Sequence, residues 1–112
     1  MQKLLEQEFH QAMVNIYNRA KNEADYVASY FIQMVAERGG VATAKFLINS
    51  DRPSDGYTAL WERGRLDLTV EALVQYPKWA PLFTDMEIEK AHQRLKEYGY
   101  IVEKASGGKK NE

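Results

Sequence analysis

The sequence predicts an all-α domain: a long N-terminal helix or helix pair, a cluster of short helices, and a C-terminal helix. Three observations carry this. Apolar residues recur at three- and four-residue steps through most of the first forty positions. Helix-start residues alternate with Gly and Pro stops through the middle of the chain. No strand-like alternation runs beyond four residues.

The first stretch, Lys3 to Arg38, places Leu5, Phe9, Met13, Ile16, Ala20, Ala24, Val27, Phe31 and Val35 on one face. Gln7, Gln11, Asn15, Asn18, Asn22, Asp25 and Ser29 occupy the other. Gly39-Gly40 supplies the stop. One helix of this span would be ~54 Å long at ~1.5 Å per residue, against a radius of gyration near ~13 Å for a compact domain of this size. It must break or find a partner for its overhang. Asn22 with Asp25 offers a cap for a second helix, but the pattern favours one long helix, bent or straight. Tyr17, Tyr26 and Tyr30 flank the stripe, as aromatic residues do at helix–helix interfaces. The overhang and these tyrosines together imply a homo-oligomer, most simply a homodimer built on the N-terminal helix.

The next helices are short. Val41–Ile48 offers Ala42, Phe46 and Leu47 for burial. A loop follows from Asn49 to Asp55. Ser54 or Asp55 caps Tyr57–Arg63, closed by Gly64, and Asp67 or Thr69 opens Val70–Tyr76, ended by Pro77. Pro77 to Phe83 reads as a packed turn carrying Trp79, Leu82 and Phe83. Thr84 with Glu87 forms a capping box for the last helix, Asp85–Tyr98, whose stripe is Ile88, Ala91, Leu95 and Tyr98, with Gly99 as its left-handed end. The chain thus forms one helical domain over 1–103 and a polar, Gly-rich, disordered tail over 104–112.

The densest block is Gly56-Tyr-Thr-Ala-Leu-Trp-Glu-Arg-Gly-Arg-Leu-Asp-Leu-Thr-Val-Glu-Ala-Leu-Val74, followed by P-x-W-x-x-L-F-T. It resembles a module of small bacterial helical proteins that reads G-[FY]-x-x-L-W-E-x-G-R-L-D-L-T-x-E, with a later L-F-T-x-x-E and R-L segment. The resemblance covers Gly39 to about Tyr100. It implies a helical fold and a bacterial source, and brings no activity or catalytic residue with it.

Composition narrows the function classes. Fifteen basic residues against sixteen acidic ones give a net charge of −1, spread evenly along the chain, unlike a basic nucleic-acid binder. The absence of Cys excludes disulfides, thiolate metal sites and a cysteine nucleophile. No apolar run approaches the ~18 residues that span a bilayer, and Glu6 and Glu8 interrupt any signal-peptide pattern. A cytoplasmic protein is expected.

Candidate chemistry is sparse. His10 and His92 have no metal-ligand spacing. Asp51, Asp55, Asp67 and Glu71 make a conceivable hard-cation set but read as solvated or capping carboxylates. Glu62 and Glu71 are the nearest acid–base pair, yet neighbouring arginines should lower their pKa. A chain this short also seldom builds a pocket of ~300 Å³ or more. No phosphate-binding glycine motif occurs. No catalytic, cofactor or metal residue is assigned, and the expected function is non-enzymatic protein–protein interaction. The candidate contact residues are Arg52, Arg63 and Arg65 on the 41–76 head, with Tyr17, Tyr26 and Tyr30 on the first helix. Arg65 with Asp67 also reads as a structural cap on helix ends. The alternative is a nucleic-acid-binding regulatory module, with Lys45, Arg52, Arg63 and Arg65 on the helix-turn-helix-like 41–76 region.

Overall fold

The computed structural model describes residues 2–100, and the expected tail lies outside them. Among the described residues six α-helices run in order: α1 (Gln2–Glu23), α2 (Ser29–Arg38), α3 (Gly40–Asn49), α4 (Asp55–Glu62), α5 (Val70–Leu73) and α6 (Asp85–Glu97). Two 3₁₀ segments, Leu66–Leu68 and Pro77–Leu82, complete the fold. The all-α architecture is what the periodicity predicts, with the helix pair, the less favoured form, at the N-terminus.

The single long helix does not form. α1 stops at Glu23, and the carbonyl of Ala20 accepts from the N–H groups of both Ala24 and Tyr26, each at 3.0 Å. Asp25 takes the left-handed conformation, φ +55°, which lets the chain reverse. Asp25 is therefore a turn residue and caps nothing; the position before α2 is Ala28, without a side-chain cap. The 22-residue α1 spans ~33 Å, within the 41 Å longest dimension of the molecule. With α2 folded back there is no overhang, so the length argument for self-association falls. Val27, assigned to the buried stripe, sits in the turn and is 53% exposed.

α1 buries Phe9, Met13, Ile16 and Ala20. Phe9 meets Trp79 and Phe83 edge-on, with each centroid distance 5.2 Å, so the proline-rich turn is part of the core. α1 and α3 approach closely at Gly40, whose N–H donates to His10 Nδ1 at 3.1 Å. Gly39, at φ +89°, lets α3 follow α2 directly. α3 buries Thr43, Ala44, Leu47 and Ile48. Ala42 and Phe46, expected inside, are exposed, because packing against α1 and α6 selects the neighbouring face.

Caps hold the short elements. Ser54 Oγ accepts from Tyr57 N–H at 3.1 Å. Thr69 Oγ1 accepts from Ala72 N–H at 3.2 Å and donates to the Leu66 carbonyl at 2.7 Å. Thr84 and Glu87 form the capping box at the start of α6. The C-terminal carbonyls of α3 are capped from α6: Lys90 Nζ donates to Asn49 O, and Arg94 donates to Leu47 O and Ser50 O. Among the described residues no helix is long and apolar enough to cross a membrane.

Candidate ligand-docking cleft

Folding α2 back onto α1 leaves a cleft of about 530 Å³ between the α1–α2 turn, the end of α3, the 50–57 segment and the start of α5. The expectation that so short a chain builds no such pocket is thus overturned. The reversal at Asp25 walls off a space that no single helix encloses. Buried Ile16, Ala20, Met34, Leu47, Leu60, Leu68 and Val70 form its depth. Val27, Tyr30 and Phe46 line it while staying exposed, at 53%, 73% and 48%.

Besides its tyrosines the cleft is lined by seven polar or charged residues, four of which are engaged within the chain. Ser50 Oγ donates to the Phe46 carbonyl at 2.8 Å; Ser54 and Thr69 act as the caps described above. Glu71 is buried at the cleft wall and accepts from Arg94 Nη1 at 2.9 Å. Burial pushes its carboxyl above the ordinary value, against the pull of the Arg94 hydrogen bond and of its own backbone N–H. The expected lowering by sequence-neighbouring arginines is therefore reversed. Those arginines bond elsewhere, and removal from water outweighs the one that does pair. Glu71 is also no solvated carboxylate. Tyr57 donates its hydroxyl to the Arg94 carbonyl at 3.0 Å. Burial, and then the nearby Glu71 charge, raise its phenol.

Four of the six residues singled out in the sequence meet here: Tyr17, Tyr26, Tyr30 and Arg52 all line the cleft. Arg63 and Arg65 do not. Arg63 donates to the carbonyls of Ala24 and Ala59, each at 3.0 Å, and lies 5.2 Å over the Tyr26 ring. Arg65 pairs with Glu23 at 2.7 Å and with both Asp67 oxygens at 3.0 Å. Both pin the end of α1 to the turn after α4, but the capping role read for Arg65 is not what it does: Arg65 bonds carboxylates, and the carbonyls at the helix ends are taken by Arg63. A charge reversal there would remove fold contacts along with any surface contact. Lys45 is bound to Glu87 at 2.7 Å. Three of the four cations of the nucleic-acid reading are thus held within the chain, and the geometry adds nothing in its favour.

Sequence reasoning missed Glu71 and Arg94 as a buried pair. Their types were visible, but the 23-residue separation crosses two elements, and no local pattern links them. Glu62 is exposed and does not line the cleft. Among the described residues, no three His, Asp or Glu side chains gather as a metal site would need. Comparison with family models, with curated proteins and with solved structures finds no match.

Proposed function

We propose that the protein is a non-enzymatic binding module that acts by protein–protein contact, receiving an apolar segment of a partner in this cleft. The observation that carries the reading is an apolar cavity of about 530 Å³ whose apolar surface continues outward over exposed Val27, Tyr30 and Phe46. The volume falls in the ~300–1,000 Å³ range of binding pockets. A small ligand would be enclosed by the interior alone. A protein segment inserts an anchor and also covers the surrounding rim, and central anchors inside a water-excluding ring are where interface energy concentrates.

Catalysis has less support. The Ser50, Ser54 and Thr69 hydroxyls are tied to backbone groups, Glu71 is tied to Arg94, and neither histidine lines the cleft.

A displayed library of short random peptides, selected on the full chain, tests the reading. Peptides with aromatic or long aliphatic anchors should be enriched. Tyr30→Asp combined with Phe46→Asp should weaken them roughly tenfold, the scale of a hot-spot loss, with unchanged far-UV helicity because both side chains are exposed. No enrichment, or binding indifferent to that pair, would contradict it.

A further inference from the structure

The wall of the cleft carries a side-chain oxygen that the fold leaves open. Glu71, 3% exposed, lines the cleft and gives Oε2 to Arg94 Nη1 at 2.9 Å. Its Oε1 accepts no hydrogen bond from any described residue. Nor is that oxygen sealed from solvent: among the described residues, the buried side-chain atom without a partner is Thr43 Oγ1. A carboxylate oxygen has room for two hydrogen bonds, so Oε1 keeps an open position even beside the pull of Glu71's own backbone N–H. Around it the lining is apolar and rich in rings, with Tyr17, Tyr26, Tyr30, Tyr57, Phe31 and Phe46.

We infer that the partner's anchor is tryptophan or tyrosine: its ring fills the apolar cleft, and its edge N–H or O–H donates to Glu71 Oε1. This rests on the docking reading above and names the anchor. Phe, Leu or Ile would strip water from Oε1 and return nothing, and a buried acceptor left unpaired is penalised. Lys or Arg would bring a second cation beside Arg94, where the Glu71–Arg94 pair is already balanced. A ring with a polar edge is complementary to both the apolar wall and the carboxylate oxygen, and ring neighbours favour edge-on contacts. Net charge at the mouth adds no further selection, because exposed Arg52 and exposed Asp55 line it together and balance.

The test pairs library-selected peptides with analogues that lack only the donor. A tryptophan peptide is titrated beside its benzothienylalanine analogue, in which sulfur replaces the indole N–H at nearly the same shape. Tyrosine peptides are compared with Phe in the same way. Both series are run on the wild-type chain and on Glu71→Gln. In that variant the amide oxygen faces the Arg94 donor, so the NH₂ takes the Oε1 position and offers a donor in place of an acceptor. The expected result is enrichment of Trp and Tyr anchors on the wild type, with affinity falling roughly tenfold when the N–H or O–H is removed. On Glu71→Gln of unchanged helicity the preference for indole over benzothiophene disappears. Leu- or Phe-anchored peptides, or equal binding of the paired analogues to the wild type, would overturn the inference and leave the docking reading standing. An indole preference undiminished in folded Glu71→Gln would overturn it too, since the donor would then pair elsewhere. If that variant unfolds, a nuclear Overhauser contact between the peptide's indole N–H and Glu71 Hγ on the wild-type chain decides: its presence supports the assignment and its absence overturns it. No peptide enrichment would overturn the docking reading and this inference together.

Discussion

At the scale of single residues, the buried polar groups make the sharpest claims. Arg94 bonds Glu71, Leu47 and Ser50 at once and is 7% exposed. Arg94→Met would leave the Glu71 carboxylate buried without its partner, at a cost of about 3–5 kcal/mol. Against a total stability of ~5–15 kcal/mol, urea unfolding should show a marginal or unfolded protein. Thr43 is the opposite case. Its Oγ1 is buried without a hydrogen-bond partner, so Thr43→Val should be neutral or stabilising by up to about 1 kcal/mol. Two glutamates give opposite pH slopes. Burial pushes Glu87 up, but Lys45, the Thr84 N–H and Asn49 together outweigh it and hold the carboxyl at about 2. Its contribution is complete above the ordinary value of 4.5 and is lost as the pH falls toward 2. Glu71 is raised, so its protonation on acidification favours the folded chain. Urea midpoints followed from neutral pH into the acid range should therefore fall less steeply in Glu87→Gln than in the wild type.

At the scale of elements, two backbone positions decide how the helices meet. A Cβ on Gly40 would lie 2.7 Å from the Cα of His10, a backbone atom that cannot swing aside. Gly40→Ala should force α1 and α3 apart and cost about 1–3 kcal/mol, seen as a lowered Tm with helicity retained at low temperature. Asp25 holds φ +55°, so a β-branched residue there should destabilise the reversal by about 1–2 kcal/mol, whereas glycine should be tolerated. These elements also mark how far the sequence is legible. Local chemistry is readable. Ser54, Thr69, the Thr84–Glu87 box and the Gly39, Gly64 and Gly99 ends sit where the turn and cap signals place them, with boundaries shifted by one to three residues. The helix break was not readable. Glu23 to Ala28 contains neither Gly nor Pro, and its apolar spacing continues across the reversal. Tertiary packing of α2 on α1 and α3 overrides that spacing. The exposure of Ala42 and Phe46 has the same cause: the helix was predictable, but the choice between adjacent faces belongs to its neighbours.

At the scale of the whole molecule, the cleft is a product of chain closure, assembled from positions as far apart as Ile16 and Glu71. Periodicity singled out Tyr17, Tyr26 and Tyr30, and charge on the 41–76 head singled out Arg52, but no local signal shows that they share one cavity. Their meeting required the turn that the helical pattern concealed. Since α1 fits inside the molecule, sedimentation should give a monomer near the chain mass of 12.9 kDa at tens of micromolar. The most direct test of the docking account is an amide chemical-shift map of the labelled chain titrated with a library-selected peptide. Shifts should concentrate in residues 26–34, 46–56 and 68–71. Shifts centred on exposed Trp61 and its neighbour Tyr98, on Leu4 or Met86, or on no contiguous surface, would contradict it.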